Sequence, residues 1–486
     1  MKRLLILVAT VAVTLVSASA ASAATINVNT TDDAYGGSGA NCSLREAITS
    51  AQTNVAFDGC TSGSGVDTIK IPGGTYKITR AGDAENANVT GDFDVTGTDA
   101  LSIEPVDNTV KVVVDGNALD RVFDQQGNNS LSLNFLHVTN GRITQIEDGG
   151  GIRNATGNLN VDGVTVSGSK SAISAGGIAV YNNLTMVNST VSGNSAEGNA
   201  GGIYVPGGAR ATVKSSTITA NTADSDANDA GDGGGFNDSA SDGVDFFNVI
   251  NAANSDLSPT AANKAPDCYS SSTKFFPRFV VTTQPLPSAN CLVGFDPGSN
   301  KVVADALIGP LKDNGGQTPT HALLEGSPAI GAGGTAAPDL CPAKDQNGRE
   351  RPVGGCDIGA VQFFTPEPPP PNDFVTVKIA QVKPKPLILK RGKKAKAVSV
   401  TVQNTSPAAA ANVKVCLKKP GKAIKKALKI KGKLCRNVGT LVAKKTVKFK
   451  IAAKKNAKRK KTFKLKATVT ADQATPKSAF VKVKVK

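Results

Sequence analysis

The sequence predicts an all-β chain, in which a right-handed parallel β-helix over residues 24–364 precedes a small immunoglobulin-like β-sandwich over residues 373–486. Three observations lead to this prediction. A glycine-rich pattern recurs about every 25 residues in the middle of the chain, and short alternations of apolar and polar residues fill each repeat. A separate lysine-rich region near the C-terminus alternates in the same way over longer runs.

Each repeat contains a Gly-Gly-Ile step and a short polar turn. The steps at 150–152, 176–178 and 201–203 lie 26 and 25 residues apart, and a degenerate copy lies at 234–236. Short strands and tight turns at this period predict one coil per repeat, because each coil buries its apolar side chains only against the next. Asn194 and Asn221 occupy equivalent turn positions, so we expect an amide ladder there rather than a ligand site.

Residues 1–23 have the composition of a secretory signal peptide. Lys2 and Arg3 precede the apolar run 4–16, which is too short to span a bilayer, and small residues lead to a cleavage position after Ala23. We therefore expect a secreted, extracellular protein with no transmembrane segment in the mature chain. Whether it stays at the bacterial cell surface is left open.

Eight cysteines in an exported chain predict disulfide bonds. A metal site or a redox pair is the alternative, and the absence of any CxxC spacing disfavours it. The chain-entropy argument assigns ~3 kcal/mol to each local bond of this kind. The spacing favours four local pairs: Cys42–Cys60, Cys268–Cys291, Cys341–Cys356 and Cys416–Cys435.

The segment 41–48 reads NCSLREAI and resembles the motif of the CSLREA-domain family of secreted bacterial proteins. Further resemblance follows in the family's order at 91–95, at 115–123 and in the repeats, while residues 310–361 resemble the end segment called choice-of-anchor Q. The resemblance covers roughly residues 25–364. It implies a right-handed β-helix of the pectin-lyase type that is exported and surface-associated, with no settled activity.

Both ends of such a solenoid need a cap, because they expose apolar faces and open strand edges. Residues 43–51 predict a short amphipathic helix with Leu44, Ala47, Ile48 and Ala51 on one face. We expect this helix, held by the Cys42–Cys60 bond, to cap the N-terminal end. We expect the 341–356 loop to lock the other end.

The net charge reverses at a proline run. Residues 373–486 carry 34 Lys and Arg against two Asp, whereas residues 1–372 carry 21 basic and 37 acidic side chains. Residues 365–372 between them predict a polyproline II spacer. Beyond it, apolar–polar alternation predicts about seven strands of a sandwich with lysines on its outer face, and the stretch 404–417 resembles small adhesion-type domains of the CARDB-like group.

We expect the positive charge of residues 373–486 to bind a polyanion, namely an anionic cell-wall or matrix polymer, an acidic polysaccharide or extracellular nucleic acid. Sequence-specific nucleic-acid recognition is not expected, because no aromatic residues are interleaved to stack the bases. Two alternatives remain open: a solvated surface with no dedicated partner, and a spacer that binds no polymer.

Enzymatic activity is the rival interpretation, since the pectin-lyase fold hosts polysaccharide lyases and glycoside hydrolases. Such an enzyme would need paired carboxylates, or a Lys or Arg base, on coils between about Ile152 and Phe247. The sequence identifies no catalytic residue: it lacks a Gly-His-Gly turn, and His137 and His321 are interpreted as structural. For Asp92 and Asp94 the alternatives are a calcium site and a structural role, and the family resemblance favours the structural role. The basic residues in that stretch of helix are Arg153, Lys170, Arg210 and Lys214.

An acidic loop supplies the candidate metal ligands, Asp224, Asp226, Asn228 and Asp232, and the ion that such oxygen ligands favour is Ca²⁺. The first three have the spacing of an EF-hand loop, but Asp229 then replaces the turn glycine and Gly235 takes the place of the bidentate Glu. The alternative is an acidic insertion without metal. The predicted binding function requires no cofactor.

Overall fold

The computed structural model describes residues 23–37, 39–82, 85–144, 147–239, 241–261, 264–284, 298–334, 341–352, 354–364, 376–406, 409–418, 420–472 and 474–486. The chain divides into two compact units, Met1–Phe364 and Thr365–Lys486. Most of the signal peptide, the proline spacer and Cys291 lie outside the described residues, so the leader, the spacer and the Cys268–Cys291 bond stay predictions.

The first unit contains one helix, α1, among its described residues, and many short strands. In chain order the elements are β1 (Thr25–Asn27), α1 (Leu44–Thr53), β2 (Asp67–Ile71), β3 (Gly74–Lys77), β4 (Phe93–Val95), β5 (Leu101–Pro105), β6 (Val112–Asp115), β7 (Phe123–Gln125), β8 (Ser130–Asn134), β9 (Leu136–Thr139), β10 (Arg142–Ile143), β11 (Ile152–Asn154), β12 (Asn158–Asp162), β13 (Thr165–Ser167), β14 (Lys170–Ser171), β15 (Ile178–Val180), β16 (Asn183–Val187), β17 (Thr190–Ser192), β18 (Ser195–Ala196), β19 (Ile203–Pro206), β20 (Arg210–Lys214), β21 (Thr217–Thr219), β22 (Thr222–Ala223), β23 (Phe236–Ser239), β24 (Gly243–Ala252), β25 (Ser255–Asp256), β26 (Cys268–Ser270), β27 (Phe275–Thr282), β28 (Lys301–Val302), β29 (Ile308–Lys312) and β30 (Thr320–Leu323).

Four strands recur in each repeat of the first unit. The chain forms β11, β12, β13 and β14 before β15 starts the next repeat, and each strand pairs in parallel with its equivalents in the neighbouring repeats. Leu159 of β12, for example, lies between Leu131 of β8 and Leu184 of β16, and none of the three is more than 2% exposed. The predicted mostly-β, parallel, solenoid-like arrangement is therefore confirmed.

Helix α1 caps the apolar core of the first repeats, as the sequence predicts. Ser43 accepts a hydrogen bond from the Glu46 amide and Glu46 accepts one from the Ser43 amide, which completes a capping box. The predicted apolar face is buried and belongs to the same core cluster as Ile26 and Ile69. Its members are Leu44, Ala47, Ile48 and Ala51.

The predicted amide ladder is present in the turns after β17 and β21. The Asn194 Nδ2 atom donates to the Asn221 side-chain oxygen at 3.0 Å, and Asn221 donates in the same way to Asn254 at 3.0 Å. Asn221 is fully buried and its nitrogen also donates to two backbone carbonyls. These amides satisfy buried polar groups that the tight turns would otherwise leave unpaired.

Residues 308–334, 341–352 and 354–362, here called the flank segment, run along the outer side of several repeats. Thr165 donates to the Pro319 carbonyl, Thr190 donates to the Gln346 side chain, and Thr217 accepts from the Ala360 amide. The 341–356 loop, predicted to lock the far end, also contacts middle repeats through Gln346. The outward threonines of β13, β17 and β21 form a polar row that gives the segment partners repeat after repeat.

The second unit contains α2 and two β-sheets. Its elements are β31 (Val377–Lys383), β32 (Leu387–Leu389), β33 (Lys396–Asn404), β34 (Ala410–Leu417), α2 (Lys422–Ala427), β35 (Leu428–Lys431), β36 (Cys435–Leu441), β37 (Lys444–Ala453), β38 (Thr462–Thr470) and β39 (Lys477–Val485). The sheet orders are β31-β33-β37-β35 and β32-β39-β38-β34-β36. Inward side chains of both sheets, including Val400, Phe449, Leu465 and Val483, share one apolar core.

Three of the four predicted disulfide bonds are present: Cys42–Cys60, Cys341–Cys356 and Cys416–Cys435. The first lies beside the start of α1, and the last joins the neighbouring strands β34 and β36. None of the helices that the structure describes has the length and apolar character needed to cross a membrane.

Candidate functional site

The acidic loop folds back on itself through its own side chains. The Asp224 carboxylate is buried and accepts hydrogen bonds from the amides of Asn228 at 2.9 Å and Asp229 at 3.1 Å. Asp226 accepts from the Asn228 side chain at 2.7 Å. Burial acts to raise the pKa of Asp224, but these backbone hydrogen bonds bring it below its ordinary value. Three of the four predicted calcium ligands thus already use oxygens to hold the loop.

Asp232, the fourth predicted ligand, has a different environment. Burial, together with the charges of Asp256 and Asp224, raises its pKa to about 6. Within the described residues, the carboxylates whose oxygens all lie within 4.8 Å of one another are Asp92, Asp94 and Asp124. The closest carboxylate cluster is therefore formed by Asp92 before β4, Asp94 on β4 and Asp124 on β7, far along the sequence from the predicted loop.

Two arginines bind this carboxylate cluster. Arg121 lies 3.0 Å from both Asp92 and Asp124, and 2.7 Å from Glu147. Arg153 donates to Asp124 through Nε at 2.9 Å and through Nη2 at 2.5 Å. Asp92, Asp94, Asp124 and Arg121 are each at most 3% exposed. A buried network of this kind holds neighbouring repeats in register, because removing one partner would leave a buried charge.

The network contains more acidic than basic side chains, and the pKa values of Asp92 and Asp94 are raised. Burial raises the pKa of Asp94 to about 7, and the nearby charge of Asp124 adds to that effect. The donors to Asp94 are neutral: the Asn88 amide and the Gln126 side chain, both at 2.9 Å. Burial also raises the pKa of Asp92 well above its ordinary value, although Arg121 opposes it. We infer that the cluster holds a proton near neutral pH.

The stretch between Ile152 and Phe247 does not bring its basic residues together. Arg153 lies on β11 in register with Asp124 and Ala179, whereas Lys170 is on β14, and Arg210 and Lys214 are on β20, in other ladders. Arg153 is already bound to Asp124 and Glu147. Neighbouring coils therefore do not combine these cations into the base site that a lyase would need.

Both histidines contact neighbouring polar groups. His137 Nε2 lies 2.8 Å from the Ser167 hydroxyl on the adjacent strand. His321 Nε2 lies 2.8 Å from the Ser192 hydroxyl, and its Nδ1 lies 2.7 Å from the Gly309 carbonyl. Burial lowers the pKa of His137 to about 4 and also lowers that of His321. These contacts favour the structural interpretation, since His321 fastens the flank segment to β17.

The second unit presents a face of lysines on its five-stranded sheet. On β38 and β39, buried Leu, Phe and Val alternate with exposed lysines. Lys464 is directly opposite Lys482, Lys484 is opposite Thr462, and Lys466 is opposite Phe480, which is 53% exposed. We call Lys464, Lys466, Lys482 and Lys484 the lysine face.

The positive charge of the second unit is not neutralised internally. In the part of residues 376–486 that the structure describes, no ion pair joins a lysine or arginine to an acidic group. Asp472 accepts instead from the Asn412 side chain at 2.6 Å. Like charges directly opposite each other on a sheet are destabilising, so an anionic partner would relieve this repulsion.

Sequence reasoning missed the partners of Asp92 and Asp94. The apolar pair Val122 and Phe123 is flanked by the charged residues Asp120, Arg121 and Asp124. Charged residues around a buried strand were the sequence feature that could have identified these partners. No protein-family model matches this chain, and no curated protein matches it.

Proposed function

We propose that the chain is an exported polymer-binding protein without catalytic activity, whose lysine-rich unit attaches it to an acidic polysaccharide or another anionic polymer of a cell wall or matrix. In this proposal the first unit is a right-handed parallel β-helix and the second an immunoglobulin-like sandwich. The four-strand parallel repeat supports the first assignment. Two facing sheets around one apolar core support the second.

The lysine face is the observation that carries the proposal. Its four side chains project from adjacent strands ~4.8 Å apart, and successive outward positions on one strand are ~6.7 Å apart. A linear polymer with regularly spaced carboxylates can lie along such an array and contact several ammonium groups at once. The exposed Phe480 beside Lys466 adds an apolar surface on which a sugar ring can rest.

The carboxylates of the first unit support a structural role over a catalytic one. Asp92, Asp94 and Asp124 are at most 3% exposed, so a polymer could not reach them without opening the fold. Asp124 is also bound by both arginines of the network. Attachment therefore has better support than cleavage.

The test compares retention of the full chain on immobilised polygalacturonate with retention on neutral dextran. The first variant replaces all four lysines of the lysine face by Gln. The matched control replaces Lys454, Lys455, Lys458 and Lys460, which are exposed in the loop between β37 and β38, by Gln. Both variants lose the same charge, so the comparison distinguishes retention by the lysine face from retention by net charge alone.

We expect salt-sensitive retention on polygalacturonate, an affinity at least tenfold weaker for the lysine-face variant, and a much smaller loss for the loop variant. Equal losses of affinity in both variants would mean that net charge, and not the lysine face, causes the retention. Retention unchanged in the lysine-face variant, or new reducing or unsaturated ends on the polymer, would overturn the proposal.

A further inference from the structure

A cavity of about 730 Å³ lies between the flank segment and the repeats of the first unit. One wall comes from the repeats and includes Phe135, Asp162 and Asn188, and the other comes from the loops at 315–317 and 342–348. Its volume falls within the ~300–1,000 Å³ of typical small-molecule sites. The lysine face is in the other unit and takes no part in it.

Most charged groups at the cavity already have partners. Lys111 is paired with Asp313, and Lys344 lies 3.5 Å from Glu350. Asp345 accepts hydrogen bonds from three backbone amides, including that of Asn347 at 2.9 Å. The lining therefore offers no uncompensated cation to an anionic ligand.

Two polar groups of the lining have no hydrogen-bond partner among the described residues. The Asp162 carboxylate is half-buried, and no residue that the structure describes donates a hydrogen bond to it or pairs with it. Burial alone raises its pKa. The Asn347 side-chain nitrogen is buried and lacks a partner among the described atoms. Of these two groups only the Asp162 carboxylate is accessible from the cavity, and a half-buried acceptor without a protein partner can accept from a ligand that donates hydrogen bonds.

Phe135 supplies a flat apolar surface beside Asp162. Its amide donates to the Asp162 carbonyl at 2.9 Å, and its backbone has φ 55, a conformation that non-glycine residues rarely adopt. A Cβ atom at Gly163 would lie 2.4 Å from Phe135 Cδ1, so only glycine leaves room for the ring here. The same left-handed conformation recurs at Asn188, Ser215 and Asn248 in later repeats, so it belongs to the turn of each coil, and the large apolar ring at this position is what distinguishes Phe135.

We infer that this cavity binds a neutral saccharide, with a sugar ring against Phe135 and hydroxyl groups donating to Asp162. An aromatic face combined with a few polar groups is the pattern by which proteins hold sugars. The carboxylate can accept from two adjacent hydroxyls, which a hydrophobic ligand would not supply.

The test uses saturation-transfer NMR on the full chain with neutral trisaccharides of glucose, galactose, mannose and N-acetylglucosamine as probes. The variants are Asp162→Asn, which removes the anionic acceptor without changing its shape, and Phe135→Leu. Asp245→Asn is the matched control, because Asp245 is another half-buried aspartate on the same sheet but does not line the cavity. Thermal unfolding of every variant verifies that the chain folds.

We expect at least one neutral probe to bind, with a dissociation constant raised tenfold or more by Asp162→Asn and by Phe135→Leu, and unchanged by Asp245→Asn. Binding that survives both cavity substitutions would overturn the assignment. So would the absence of transfer to every neutral probe. Since the probes are uncharged, these outcomes are independent of polygalacturonate retention by the lysine face.

Discussion

Asp94 and Asp124 occupy directly opposite positions on the parallel strands β4 and β7, and their carboxylate oxygens lie within 4.8 Å of each other. Asp124 is bound by Arg121 and Arg153, whereas Asp94 receives only neutral donors. The pair is therefore unequal: two arginines bind Asp124, whereas neutral donors bind Asp94, whose pKa burial raises to about 7.

Replacing Asp94 by Asn should stabilise the protein at pH 8. The pKa of Asp94 is about 7 in the folded chain against an ordinary value of 3.8, so the folded state holds a proton that the unfolded state has lost between these values. Wild-type stability therefore falls as pH rises from ~4 to ~7, and Asn, which mimics the protonated acid, removes this loss. We expect a gain of ~2 kcal/mol at pH 8 and a smaller one at pH 5, measured by urea unfolding.

Asp124→Asn is the control for this prediction. It takes charge from the partner of Arg121 and Arg153, so it should destabilise at both pH values. An Asp94→Asn variant that loses equal stability at pH 5 and pH 8 would contradict the assignment of the proton to Asp94.

Replacing His137 by Gln should change the stability of the protein mainly at acid pH, opposite to the dependence expected for Asp94→Asn. The pKa of His137 is lowered from 6.5 to about 4 by burial, so the unfolded state binds a proton that the folded state does not bind between these values. Stability from the neutral ring is present above pH ~6.5 and is lost as pH falls towards 4. We expect the variant to lose ~1 kcal/mol less than wild type between pH 7.5 and pH 4.5. An unchanged acid limb of the stability profile would show that His137 titrates normally.

Replacing Asn221 by Ala should cost ~2 kcal/mol, because the buried Asn194 amide and side chain lose their shared acceptor. The control is Asn183→Ala, whose side chain binds Asn158 at the surface, and it should change stability by less than ~0.5 kcal/mol. Both values come from equilibrium unfolding. Equal small effects would mean that the ladder adds nothing beyond ordinary surface hydrogen bonds.

Replacing Arg45 by Met should destabilise the N-terminal cap by ~3–5 kcal/mol. The fully buried guanidinium lies 2.7 Å from Asp33 and donates to the carbonyls of Gly91 at 2.7 Å and Asp92 at 2.8 Å. Met removes the guanidinium donor from both carbonyls and leaves Asp33 with only the backbone amides of Thr79 and Arg80. Lys keeps the charge but cannot reproduce the planar fork, so we expect an intermediate loss for Arg45→Lys. Arg142→Met, at an exposed position, is the control for thermal unfolding. A loss of stability no larger than that of the control would contradict a role for Arg45 in stabilising the N-terminal cap.

Replacing Lys482 by Glu should stabilise the second unit and weaken polymer retention together. The new carboxylate would be directly opposite Lys464, so a repulsive cross-strand pair becomes attractive, a change of ~0.5 kcal/mol at low salt that high salt should remove. Lys458→Glu makes the same charge change in an exposed loop. Equal effects of both substitutions on stability and polygalacturonate retention would contradict a specific role for the lysine face.

The sequence predicted those features that depend on residues close together in the chain. The 25-residue period placed the strands of each repeat, and the apolar face of residues 43–51 predicted α1, which spans Leu44–Thr53. The spacing of cysteines predicted three bonds that the structure contains, each closing a loop of 15 to 19 residues. The sequence did not predict the candidate site. Its composition singled out the acidic loop, whereas the closest carboxylate cluster lies at β4 and β7.

By itself the sequence determined the repeat, the inward and outward sides of each strand and the reversal of charge between the two units, because these are local periodicities and sums over composition. Only the tertiary structure decided which side chains meet across repeats. Ser192 and His321 are 129 residues apart in the chain and 2.8 Å apart in space, and Asp162 faces loops more than 150 residues away. Such contacts follow from the stacking of coils and the path of the flank segment, and no local pattern of residues encodes either.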